Sequence, residues 1–199
     1  PVLSTTERTH KEKEQQEEGT QKKDIRTDGY AVFNREGKLI DYASLEYSRG
    51  INWITDEIHS TAVVIEPESG AQLSAQIIRS KTKLEIDEEA VSLNVDISLI
   101  FNIPEYTGNK ELYDLEYGGL IKGKLEDMIE KEVIDTVKYL QSLDADAINI
   151  GNVYYHKYPK RWPMMKDMWE EKFRQMNVNV SVRSTLRNTY NILNPMEKE

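Results

Sequence analysis

The run GGLIKGK over 118–124 carries the plainest chemical signature in this 199-residue sequence. Its Gly and Lys spacing is that of a loop whose backbone N–H groups cradle phosphates while Lys reaches the terminal ones. Leu125 stands where such a loop needs Ser or Thr to hold Mg2+, and the preceding 112–117, with Asp114 and Glu116, does not read as a buried strand. The glycine pair therefore reads as a helix entry, and no cofactor is expected. His10, His59 and His156 lie far apart and form no i,i+4 pair suited to zinc, so no metal is expected. The absence of cysteine excludes thiolate nucleophiles, disulfides and Cys-ligated zinc. No Ser sits in a G-x-S-x-G turn. Asp135, Asp144 and Asp146, like Glu126, Glu130 and Glu132, are of the type that pairs for glycoside cleavage. At such positions acids ordinarily solvate a helix face or cap an end, and no catalytic residue is assigned.

Aromatic residues form the other conspicuous group. Trp162, Trp169 and Phe173 could stack a sugar or an aromatic ligand, but their helical spacing places them in a core first. Tyr154, Tyr155, His156 and Tyr158 read as a core-edge cluster suited to protein contact.

These residues need elements to position them. The segment 30–33, a turn over 34–37 and the segment 38–42 predict a β-hairpin. Residues 45–54 place Tyr47, Ile51 and Ile54 at helical spacing despite Gly50. Two strands are expected over 60–66 and 72–80. The clearest period-two run follows at 91–103, where Val91, Leu93, Val95, Ile97, Leu99, Phe101 and Ile103 share one face. Ile121, Leu125, Met128, Ile129, Val133, Val137 and Leu140 mark a long helix reaching about Leu143. A second helix is predicted from Pro163 with a stripe of Met165, Trp169, Phe173 and Met176, and Val178, Val180 and Val182 alternate in a closing strand. The pattern predicts an α+β domain: a mostly antiparallel twisted β-sheet with a long helix and shorter helices on one face. Parallel pairing of the last strand stays open, because a helical crossover precedes it.

The first 28 residues are dominated by Glu, Lys, Gln and Thr and read as a disordered polar linker. The domain is placed at 29–193 and a polar tail at 194–199. A formal charge of -9 opposes binding to nucleic acid or to an anionic bilayer, and no apolar run approaches membrane-spanning length.

Two groups of segments resemble the Ger(x)C lipoprotein family of endospore-forming bacteria. The first runs through 31–33 and 37–40 to Glu46, Arg49 and Gly50. The second comprises 143–146, 148–151, Tyr158, Pro159, Trp162, Trp169 and Phe173, ending in the alternating valines. In order and spacing the pieces cover nearly all of 30–192. The resemblance implies a non-enzymatic C subunit of a spore nutrient germinant receptor, acting in assembly or signal relay beside integral-membrane A and B subunits. It also implies a preceding region carrying an export signal and a lipid anchor on the outer face of the spore inner membrane. A small germinant-binding domain, with a cleft near Trp162 and Tyr154, is the alternative. Structural or interface roles are expected for Glu46, Arg49, Gly50, Asp146, Gly151, Tyr154, Tyr158, Pro159, Trp162 and Trp169. Specifically, Arg49 is expected to pair with Glu46 at i,i+3, Asp146 to cap the turn toward Ile148, and Gly151 to permit a backbone geometry closed to other residues.

Overall fold

The computed structural model describes residues 2–6, 26–112 and 114–189. Strands β1 (Val2–Thr6), β2 (Arg26–Phe33) and β3 (Leu39–Ala43) form an antiparallel three-stranded sheet in that order. The β2–β3 hairpin closes where the Asn34 side chain accepts the backbone N–H groups of Glu36 and Lys38, and Gly37 takes the left-handed φ of 78° that the turn requires. Helix α1 (Leu45–Ile54) starts at Ser44, whose hydroxyl accepts the N–H of Tyr47 at 3.3 Å, and buries Ile51, Trp53 and Ile54.

A second sheet contains β4 (Thr61–Ile65), β5 (Leu73–Ile86), β6 (Ser92–Tyr106) and β7 (Asn177–Asn188), in sequence order. The first three are antiparallel; β7 joins β6 in parallel, the outcome that a helical crossover allows. That crossover is supplied by α2 (Leu115–Ser142), α3 (Ile150–Lys157), α4 (Trp162–Met165), a 3-10 turn (Lys166–Met168) and α5 (Trp169–Gln175). Asp114 caps α2 by accepting the Tyr117 N–H at 2.7 Å.

The period-two run of β6 delivers Leu93, Val95, Ile97, Leu99, Phe101 and Ile103 to one buried face. Opposite lies the stripe of α2, where Ile121, Leu125, Ile129, Val133, Val137 and Leu140 are each fully buried. Burial of one such aliphatic side chain contributes about 1.5–3 kcal/mol. Val95, Val137 and Trp169 belong to the same core, so β6, α2 and α5 share one nucleus.

The α+β class with a long helix on a mostly antiparallel sheet is the observed architecture, although the strands divide between two sheets. Three local expectations are corrected. The polar linker placed at 1–28 contains a strand at its start, because β1 pairs along one edge of β2, and the second strand itself begins at Arg26. The remainder of that linker, and the tail at 194–199, lie outside the described residues. The helix expected from Pro163 is interrupted: α4 and α5 are separate, with the 3-10 turn between them. Trp169, Phe173 and Met176 are buried as expected, while Met165 is half-buried. Finally, α3 occupies a stretch read as a turn and an aromatic cluster. It is short, buries only Ile150, Gly151 and Tyr154, and begins at Asn149 in the left-handed region without a side-chain cap on that residue.

Candidate functional site

The residues singled out from sequence gather into two places. The first is the crossing of α1 over α2. Gly50 faces Thr136 so closely that a β-carbon at residue 50 would lie 1.9 Å from Thr136 Oγ1 and 2.7 Å from its Cβ. One turn away the Arg49 guanidinium meets Glu132 in two bonds, Nε to Oε1 at 2.7 Å and Nη2 to Oε2 at 2.9 Å. The Glu132 side chain is 4% exposed and that of Arg49 35%. A parallel two-bond fork of this kind fixes orientation as well as distance. On the other side of Thr136 along α2, the rings of Tyr47 and Tyr139 stack at 4.2 Å, and the Tyr139 hydroxyl donates to Asp41 of β3 at 3.0 Å. The crossing thereby ties α2 to the small sheet.

The expected Arg49–Glu46 pair is corrected. Glu46 remains exposed, and Arg49 reaches across to the other helix because a buried carboxylate there has no alternative cation. The bond to Glu132 raises the Arg49 pKa. Burial raises that of Glu132 as well, outweighing the lowering effect of Arg49.

The second place is built around Asp146, in the loop between α2 and α3. Its Oδ1 accepts the N–H of Ile150 at 2.8 Å, while Oδ2 accepts the N–H of Gly151 at 2.6 Å and the indole N–H of Trp169 at 2.9 Å. Asp146 thus caps α3 from outside the helix and pins it to α5. Burial raises the Asp146 pKa, opposed by those donors. Gly151 does not have a left-handed φ, contrary to its expected role. Glycine is required by proximity: a β-carbon there would lie 2.9 Å from Trp169 Nε1 and 3.2 Å from Asp146 Oδ2.

The aromatic cluster extends this node. Tyr154 is fully buried against Tyr158, Trp162 and Trp169, and its hydroxyl donates to the Glu88 carbonyl at 2.9 Å. Lys157 and Tyr158 both donate to the Ile86 carbonyl, at 2.8 and 3.4 Å. These bonds fasten α3 to the β5–β6 connection. Pro159 is exposed in the turn that follows.

Between the β2–β3 turn and the α3–α5 segment runs a groove of about 350 Å3. Phe33, Asn34 and Arg35 form one wall. The other includes Asn149, Asn152, Tyr155, Trp162 and Glu170, with Asp146 and Trp169 at its base. Among the described residues no group of three or more His, Asp or Glu side chains converges as a metal site requires. Gly118, Gly119 and Gly123 lie inside α2, where their amides belong to the helix and cannot form a phosphate-binding loop.

Sequence reasoning missed two functions of the α2 acids. Glu130 Oε1 accepts the N–H of Val182 at 3.0 Å, and Glu126 Oε1 accepts the N–H and the hydroxyl of Ser184, both at 2.7 Å. The two carboxylates thus occupy the outer edge of β7. Their i,i+4 spacing was the available indication, but only the placement of β7 could show that backbone donors two residues apart on a strand face them.

The family model described as spore germination B3/GerAC-like, C-terminal, matches residues 28–190. Spore germination protein KC of Bacillus subtilis (strain 168) is 27% identical over 181 residues, covering 88% of this chain and 44% of that protein. Spore germination protein YndF of the same organism is 25% identical over 167 residues, covering 81% of this chain and 41% of its own length. The chain therefore spans less than half of each relative. The crystal structure of the GerBC protein shares the fold with a TM-score of 0.72 at 19% identity, covering 84% of this chain and 54% of that one.

Proposed function

The chain belongs to the spore germination B3/GerAC-like C-terminal family, and we propose that it is a non-enzymatic domain of the C subunit of a spore nutrient germinant receptor. It acts in receptor assembly or signal relay beside the integral-membrane A and B subunits, on the outer face of the spore inner membrane, where a lipid anchor on the full-length protein holds it. Residues 29–193 make up the bulk of the domain, with β2 entering it from Arg26.

The observation that carries this reading is how the family-like motif residues are used. Arg49 and Gly50 join two helices, while Asp146, Gly151, Tyr154 and Trp169 join three structural segments. Each is engaged inside the protein, so these motifs maintain a rigid body whose outer surface is free for contact. Among the described residues no helix is long and apolar enough to cross a membrane. Attachment through a lipid and through partner subunits accords with that surface.

Chemical crosslinking in intact spores tests this directly. Crosslinks from exposed lysines of the domain, such as Lys160 and Lys166, to the A or B subunit are expected. A full set of intramolecular crosslinks with none to either subunit would count against it.

The groove beside Trp162 supports a second reading, a germinant-binding domain. Calorimetric titration with germinant amino acids and sugars separates the two: saturable heat favours ligand binding, and its absence favours assembly.

A further inference from the structure

The groove between the β2–β3 turn and α3–α5 has a composition that internal architecture does not explain. Asn149, Asn152 and Tyr155 fall at i,i+3 spacing along one side of α3 and all line it. All three are exposed, and their side chains make no hydrogen bond among the described residues. The rings of Tyr155 and Trp162 meet edge to face at 6.2 Å on the same wall. Glu170 lines the groove, exposed and without an ionic partner among the described residues. Asp144 and Asp146 also line it, the former held by Arg174 at 3.0 Å, and the basic residue of the lining, Arg35, donates to the Lys166 carbonyl at 3.2 Å. Carboxylates outnumber cations in the lining, and the whole chain carries a formal charge of -9.

Two aromatic faces set at an angle beside a carboxylate recognise an organic cation, through the ring quadrupoles and an ion pair together. Unpaired Asn amides each offer a donor and an acceptor, which match a peptide group. Past Trp162, Met164 is 79% exposed and Met168 48%. Thioether side chains of this kind adapt to apolar partners, and a free amine would leave them uncovered.

We propose that this groove docks a segment of a partner protein that presents one Arg or Lys side chain between apolar residues. The cation lies against Tyr155 and Trp162 and pairs with Glu170, the segment's backbone bonds to Asn149 and Asn152, and its apolar neighbours cover Met164 and Met168. This deepens the assembly reading and rests on it for the partner's place in the receptor, whereas the binding chemistry is independent of spores.

The test is NMR titration of the 15N-labelled chain with an acetylated, amidated peptide of sequence ALRLA, with ALQLA and with free arginine. The arginine peptide is expected to shift the Trp162 indole and the Asn149 and Asn152 side-chain amides saturably, and to bind at least about threefold more tightly than the glutamine peptide or free arginine. Glu170→Lys, a change at an exposed position, is expected to weaken the arginine peptide about threefold and leave the glutamine peptide unchanged. Trp162→Ala is expected to weaken it about tenfold. Absence of saturable shifts, equal binding of the arginine and glutamine peptides, free arginine binding as tightly as the peptide, or indifference to Glu170→Lys would overturn the proposal. The spore crosslinking result separates the two levels: crosslinks without peptide binding remove the groove but leave the assembly function, and peptide binding without crosslinks does the reverse.

Discussion

Gly50 of α1 and Thr136 of α2 leave no room between them for a methyl group: a β-carbon on residue 50 would sit 1.9 Å from the threonine hydroxyl. The two helices therefore cross at a distance set by glycine, and that distance brings Arg49 within bidentate reach of Glu132. Close approach and ion pair are one device.

Gly50→Ala tests the approach. Alanine favours a helix over glycine by about 1 kcal/mol, but overpacking of a filled interface costs about 1–3 kcal/mol, and here the contact is with a β-branched side chain that has little freedom to move. A net loss of stability of about 2 kcal/mol is expected by urea denaturation. Thr136→Ala in the same chain should restore part of it, giving a favourable coupling in the double-mutant cycle.

Arg49→Ala leaves a buried carboxylate without its cation, and a loss of about 2–3 kcal/mol at neutral pH is expected, below the full cost of an entirely buried pair because Arg49 is partly exposed. Glu132 has a folded-state pKa raised above its ordinary 4.5. A carboxyl raised in this way favours the folded state below its unfolded pKa, and that contribution is lost as pH rises through the folded pKa. Removing Arg49 takes away a lowering influence and extends the window upward. The stability gap between wild type and Arg49→Ala should narrow as pH falls from 7 towards 4.5, measured by urea midpoints at each pH.

Asp146→Ala withdraws the acceptor from the Ile150 and Gly151 amides and from the Trp169 indole. Orphaned donors in a largely buried site cost about 1–3 kcal/mol each when no water replaces the acceptor, and a total loss of about 3 kcal/mol is expected. Near-ultraviolet circular dichroism should show weakened tryptophan bands, because Trp169 loses its anchor. The folded-state pKa of Asp146 is also raised by burial, so its own contribution in the wild type falls as pH rises through that value.

Glu126→Ala combined with Glu130→Ala takes the acceptors away from the backbone N–H groups of Val182 and Ser184, buried residues of the edge strand β7. An unprotected edge strand pairs with other chains. Concentration-dependent self-association greater than that of the wild type is expected by analytical ultracentrifugation, with little change in the monomer's circular dichroism.

Legibility from sequence followed the strength of periodicity. β6 and α2 were readable because a long run of alternating or three-to-four spaced aliphatics has one consistent burial solution, and both faces are buried except at Val91, which is 49% exposed before β6 begins, and Met128, which is half-buried. α3 was not readable: with Gly151, Asn152 and β-branched Val153 in its first half, local propensity argues against a helix, and Asp146 supplies the cap from outside the element. The motif residues were picked out as positions, without their partners being visible. Arg49 pairs with Glu132, 83 residues away, and Asp146 with Trp169, 23 residues away; the first contact depends on a helix crossing and the second on a loop meeting the start of α5, neither of which sequence spacing encodes. The expected Arg49–Glu46 pair was a local solution displaced by a buried one.

The most direct measurement is nutrient germination of spores carrying the full-length protein with residues 29–193 removed in frame, read as loss of refractility after nutrient addition, with A and B subunit levels followed by immunoblot. A domain that assembles or relays predicts a strongly reduced nutrient response, together with lost A or B subunits where assembly fails. Wild-type response kinetics with normal levels of both subunits would contradict it.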